Sequence, residues 1–193
     1  MIAGNAAELA DACGRQGGSV DRHGAGWIAQ LRGRWWVLHT RAQNEKRVAE
    51  ELDRHQCQYY LPLVRVQHTY SRGRHAAFHK PLFPGYVFLC GDYRDREIAW
   101  RTHRVAAVLD ALDQDRLRRE LEHIYRVVES GRNVELYQGL QAGRPCRITS
   151  GPLRGVEGVV LQWCGRTRLY VGVSLIGQSA TVEIDAALLE AVA

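Results

Sequence analysis

Two hydrophobic periods alternate from residue 34 to about 130, and only the shorter survives beyond 143. Arg34–Thr40 reads as a strand. Trp35, Val37 and His39 lie on one face, and Trp36, Leu38 and Thr40 on the other. Thr40 and Gln43 stand at capping-box spacing, and helix formers then continue to about Gln56. Val48, Ala49 and Leu52 form a narrow apolar stripe on that helix, with Glu50 and Arg54 placed to pair on its wet face. Cys57–Val66 alternates loosely, broken at Leu61-Pro62. Val64, Val66 and His68 share a face before a turn at Ser71-Arg72-Gly73-Arg74, and the chain returns through Ala76–Lys80. This is a long basic hairpin carrying Arg65, Arg72, Arg74 and Lys80.

The stretch Lys80-Pro81-Leu82-Phe83-Pro84-Gly85-Tyr86-Val87-Phe88-Leu89 organises the chain. The prolines fix φ and remove amide donors, so the next strand starts no earlier than Gly85. Tyr86–Leu89 then reads as a strand buried on both faces. A turn at Gly91–Asp95, a short helix over Asp95–Arg101 and a strand over Val105–Leu109 follow. Asp113 caps a helix reaching about Ser130, with Leu117, Leu121, Ile124 and Val128 on one face and Gly131 past its end. Residues 132–142 read as a linker. From Gly143, period two predicts strands at Arg147-Ile148, Gly158–Trp163, Leu169–Ser174 and Ala180–Ile184, joined at Gly151-Pro152, Cys164-Gly165 and Ile176-Gly177. Such spacing in so short a unit reads as a small β barrel. Residues 1–32 are rich in Gly and Ala and without sustained period. They read as a flexible leader, with at most a helical turn at Ala6–Cys13.

The 193 residues suffice for one medium domain or two small ones. No apolar run approaches the roughly 20 residues of a membrane span, and no secretory signal is visible. Five scattered cysteines fit reduced thiols, so a cytoplasmic location is expected. The net charge is +5, and residues 33–92 hold nine Lys and Arg against five Asp and Glu. This balance favours a polyanion or an acidic protein surface as partner. No CxxC, HExxH, phosphate-loop, dinucleotide or GxSxG signature occurs, so neither a metal, a cofactor nor an enzyme activity is expected. His68, His75, His79 and His103 do not form a ligand set, because strand alternation scatters the first three.

The order of parts then matters. Trp35-Trp36-Val37-Leu38, Glu45-Lys46-Arg47-Val48-Ala49-Glu50, a basic hairpin, and Phe83-Pro84-Gly85-Tyr86-Val87 together resemble the N-terminal domain of the NusG family of transcription elongation factors. Gly151-Pro152-Leu153-Arg154-Gly155-Val156-Glu157-Gly158-Val159-Val160 and the stretch Val173–Ile184 are similar to that family's KOW domain. The resemblance implies an α+β first domain over 33–131, an antiparallel sheet flanked by helices, and an all-β, SH3-like KOW barrel over 143–193. It implies binding to the clamp helices of the largest RNA polymerase subunit and suppression of pausing. It also implies recruitment by the KOW unit of Rho or a small-subunit ribosomal protein. Candidate polymerase-binding residues are Trp35, Trp36, Tyr60, Phe83, Pro84, Gly85 and Tyr86, since a partner helix needs aromatic anchors. Arg65, Arg72, Arg74 and Lys80 are candidates to lie near upstream or non-template DNA, or else form a solvated edge. Leu175, Ile176 and Gly177 are the candidate KOW contact, or else plug the barrel. A monomer with no membrane association is expected.

Gln178 stands where the general factor usually has Arg, and Leu61-Pro62-Leu63 with Lys80–Pro84 looks closer to specialised paralogues of the RfaH type. Asp95-Arg96-Glu97 departs from the His-Thr-Thr run of RfaH. The alternative reading is a KOW-type RNA- or ribosome-binding protein without a polymerase role. Against it, residues 143–193 carry five Arg and four acidic residues and are almost neutral.

Overall fold

The computed structural model describes residues 26–69, 75–139, 141, 143–163 and 166–192. The helical turn expected at Ala6–Cys13 lies outside them. The chain forms two compact units, 1–112 and 113–193.

The first unit contains strands β1 (Arg34–Thr40), β2 (Gln58–Tyr60), β3 (Leu63–Thr69), β4 (His75–Pro81), β5 (Tyr86–Gly91) and β6 (Val105–Asp110). Its helices are α1 (Trp27–Gln30), α2 (Glu45–Arg54) and α3 (Tyr93–Arg101). Four strands make an antiparallel sheet in the order β2-β5-β1-β6, with Val37 opposite Phe88 and Leu109. Trp36, Leu38, Val87 and Leu89 pack with Val48, Leu52 and Ala99 in one core. The double burial expected for the strand after Gly85 holds, since Val87 to Cys90 are fully enclosed. The expected leader ends earlier than read, because Trp27, Ile28 and Leu31 are buried. A four-residue helix is too short to show a period.

Two caps differ from expectation. Thr40 lies inside β1 and is buried, and its amide donates to the Gly85 carbonyl at 2.8 Å. Helix α2 is instead preceded by Asn44, whose side chain makes no cap bond, and Arg54 pairs with Glu51 rather than Glu50. Strand pairing claimed the threonine that sequence spacing assigned to the helix. Helix α3 begins at Tyr93, because Asp92 accepts from the amides of Arg94 and Asp95 while Asp95 accepts from the Asp92 amide. That reciprocal box turns the expected 91–95 turn into a helix start.

The second unit opens with α4 (Gln114–Glu129), capped by the Asp113 carboxylate on the Arg116 amide at 2.9 Å, as expected. Strands β7 (Val134–Tyr137), β8 (Arg144–Ile148), β9 (Glu157–Trp163), β10 (Arg166–Val173), β11 (Gln178–Glu183) and β12 (Leu189–Ala191) form one antiparallel sheet in the order β12-β8-β9-β10-β11-β7. Residues 132–142 are therefore not simply a linker, since β7 pairs with β11, Glu135 opposite Thr181. Four residues between Asn133 and Gln138 give too short an alternation to read. Among the described residues no helix is long and apolar enough to cross a membrane.

Candidate functional site

The turn between β4 and β5 is braced from three directions. Leu82 N donates to the Pro62 carbonyl at 2.8 Å, and Tyr86 N to that of Phe83 at 3.2 Å. Gly85 sits at φ +84, a left-handed conformation that L side chains rarely adopt, while a Cβ there would meet only the His39 ring at 3.6 Å, an ordinary contact. Its amide donates to Glu45 Oε1 at 2.6 Å, and its carbonyl accepts from Thr40. Glu45 is only 6% exposed, so this bond satisfies a carboxylate that burial would otherwise penalise. It begins α2, where a negative charge also complements the helix dipole. The motif that begins α2 and the Phe-Pro-Gly-Tyr turn are thus joined by one charge-assisted hydrogen bond.

Around this turn the seven candidate side chains divide. Trp35, Trp36, Tyr60 and Phe83 are at most 4% exposed. Trp36 donates its indole N–H to Asp110 at 2.8 Å, and Arg34 stands 3.7 Å from the same carboxylate. Tyr60 stacks on Phe88, and Phe83 meets Phe88 edge-on. These aromatics build the platform. Pro84 is exposed, Gly85 and Tyr86 are half-buried, and Tyr86 stacks on His39 with centroids 5.1 Å apart. Alternation made Trp35 and Trp36 equal candidates for a surface. With β1 held between β5 and β6, both are enclosed.

Beside the turn, β3 and β4 pair in unbroken register from Leu63 opposite Pro81 to Thr69 opposite His75. Arg65 and Lys80 are exposed on this hairpin, while Arg72 and Arg74 lie outside the described residues. Lys46 Nζ donates to the His79 carbonyl at 2.7 Å and ties α2 to β4. Phe78 is 45% exposed, and no sequence motif singles it out. Its exposure follows from strand pairing, since β4 has one neighbour among the described residues. Glu45 opens the Glu45–Glu50 motif, but nothing in its spacing points to Gly85.

On the second unit, Ser174–Ile176 forms a 3₁₀ turn ended by Gly177 at φ 64. Leu175 and Ile176 are half-buried, and Gly177 is exposed. Glu120 of α4 accepts from Ser174 N at 3.0 Å and from Ser174 Oγ at 2.5 Å, and Arg116 also donates to that hydroxyl at 2.6 Å. Arg126 donates to the Arg154 carbonyl in the turn before β9. Between these contacts, burial pushes the His123 imidazole below its ordinary pKa. Among the described residues no three His, Cys, Asp or Glu converge as a metal site.

Comparison with known proteins places these features. Residues 33–138 match the family model described as "Transcription termination factor nusG". "Transcription termination/antitermination protein NusG" of Deinococcus radiodurans is 26% identical over 182 residues, covering 78% of this chain and 95% of that protein. The protein of the same name from Rickettsia typhi is 24% identical over 171 residues, covering 78% and 86%. The solved structure titled "Domain interaction in Thermotoga maritima NusG" aligns with a TM-score of 0.47 at 20% identity, covering 84% of this chain and 98% of that one. The family match spans more than half of the sequence and takes in the braced turn, the helix that holds it and the basic hairpin: the chain belongs to the NusG family.

Proposed function

We propose that this chain is a transcription elongation and antitermination factor that docks on the clamp helices of the largest RNA polymerase subunit and suppresses pausing. The observation that carries the reading is the Glu45–Gly85 bond, which presents Pro84, Gly85 and Tyr86 as a fixed surface ridge beside the hairpin. A rigid ridge with a half-exposed aromatic costs little ordering entropy on binding. Trp35, Trp36, Tyr60 and Phe83 act from beneath by fixing its shape. Arg65, Arg72, Arg74 and Lys80 contact phosphates of upstream or non-template DNA. The polymerase-binding surface belongs to the first unit and the KOW contact to the second. Leu175, Ile176 and Gly177 offer the contact to Rho or a small-subunit ribosomal protein. The factor works in the cytoplasm as a monomer, without cofactor or catalysis, in the manner of an operon-specific paralogue.

The test is capture of purified RNA polymerase by the full chain, by a Tyr86→Ser variant and by a Pro84→Asp variant, each checked for folding by circular dichroism. Capture by the parent chain and loss in both variants is the expected result. Equal capture by all three removes the ridge as the docking site, and no capture by the folded parent chain removes the polymerase reading.

A further inference from the structure

Within the second unit, a cleft of about 400 Å³ lies between α4 and one face of the sheet. Its floor follows from strand register. Pro145 of β8 stands opposite Val159 of β9, and Val159 stands opposite Tyr170 of β10. Directly opposed residues share a face, so these three side chains form an apolar row across the sheet. Gly172, two places on in β10, adds no side chain and leaves the row open at that end. The wall is helical. Arg116, Arg119 and His123 recur at i, i+3 and i+7 and line the cleft as one stripe of α4.

The charges in this lining are unequally committed. Glu120 accepts from Ser174 and from Arg116, and Glu157 takes both donors of the Arg147 fork. Arg116 is spent on Glu120 and the Ser174 hydroxyl. Arg119 is exposed and makes no hydrogen bond or ion pair among the described residues. Burial disfavours the charged form of His123, so its ring adds a donor and an acceptor but no second cation. One unmatched guanidinium thus borders an apolar floor.

We propose that this cleft binds a small aromatic carboxylate, its ring laid on the Pro145–Val159–Tyr170 row and its carboxylate held by Arg119. The volume falls within the roughly 300–1,000 Å³ of small-molecule sites, where an apolar lining with a few convergent polar groups is usual. A guanidinium matches a carboxylate in bidentate geometry. One free cation balances one negative charge. A phosphate dianion would bring a second charge toward Glu120 and Glu157 in the same lining, and a neutral hydrocarbon would leave the guanidinium unmatched.

The experiment is isothermal titration calorimetry of the full chain, Arg119→Gln and Val159→Phe with naphthoate, with its alcohol analogue naphthylmethanol and with inorganic phosphate. Amide NMR spectra locate the site, and circular dichroism checks each fold. The parent chain binds one naphthoate, with amide shifts gathered at Arg119, Val159 and Tyr170. Arg119→Gln weakens binding by at least about tenfold, the low end for a hydrogen bond to a charged group. Val159→Phe fills the floor and blocks it. The alcohol binds the parent weaker than naphthoate by a similar factor. Naphthoate held equally by the parent and Arg119→Gln overturns the carboxylate contact. Phosphate bound as tightly as naphthoate overturns the aromatic floor. Shifts gathered elsewhere, or no naphthoate binding by the folded parent chain, overturn the site.

Discussion

Glu45 and Gly85 stand forty positions apart and meet in a 2.6 Å hydrogen bond from the glycine amide to a nearly buried carboxylate. Glu45→Ala leaves that amide without its partner, at a cost of about 1–3 kcal/mol for an unsatisfied buried group. Glu45→Gln restores a neutral acceptor and recovers part of the loss. Urea denaturation of the three proteins checks the order parent, Gln, Ala. An Ala variant as stable as the parent removes the bond as a determinant of the turn.

Gly33 tests the close approach of β1 and β5. A Cβ there would lie 2.7 Å from the Gly91 carbonyl oxygen, at a backbone φ of +133. Backbone cannot swing aside as a side-chain tip can. Gly33→Ala is expected to destabilise the first unit by at least about 2 kcal/mol, from overpacking and strain together. Gly85→Ala, with its nearest neighbour 3.6 Å away in the His39 ring, costs only the left-handed backbone, about 1–2 kcal/mol. Thermal melts of the two variants rank them, and the reverse order would refute the assignment.

Cys57 is buried against Asp95, with Sγ 3.4 Å from the carboxylate oxygen. Burial first, and then the Asp95 hydrogen bond and charge, push its thiol from 9.0 up to about 12. The unfolded chain releases this proton near 9 while the fold retains it. Between pH 9 and about 12 the folded state binds more protons, and stability falls as pH rises. Cys57→Ser, keeping a hydroxyl donor, is expected to flatten that alkaline decline in chemical denaturation curves. A decline identical in parent and variant would assign it elsewhere.

His123 gives the opposite dependence. Its pKa is lowered chiefly by burial, opposed by Glu157 and Glu122 and reinforced by Arg126 and Arg119. As pH falls through 6.5 the unfolded chain takes up a proton that the fold resists, so stability drops on the acid side. His123→Gln is expected to reduce the acid loss of the second unit, followed by denaturation at pH 7 and pH 5. An unchanged difference between the two pH values would rule His123 out.

The grip of Glu120 on Ser174 is readable by hydrogen exchange. The Ser174 amide donates to that carboxylate at 3.0 Å. Glu120→Ala is expected to speed exchange at Ser174 by at least about tenfold, the equivalent of 1.4 kcal/mol in local opening. Exchange as slow as in the parent would mean that other bonds hold the turn.

The sequence alone determined the strand before α2, the doubly buried strand after Gly85, the Asp113 cap and the β character of the C-terminal unit. Each is set by a local rule of alternation, φ restriction or capping, which acts within a few residues. Where two choices were locally equivalent, contacts across the fold selected one. Thr40 could cap a helix or lie in a strand, and pairing with the Gly85 carbonyl decided for the strand. Trp35, Trp36, Tyr60 and Phe83 could face a partner or a core, and burial removed them from the surface. Phe78 became an exposed ring because its strand has one neighbour among the described residues, and the Glu45–Gly85 bond formed because the fold brought α2 to the turn. Spacing along a chain records what a residue can do with its neighbours. What stands across from it depends on sheet order and register, which are properties of the whole fold.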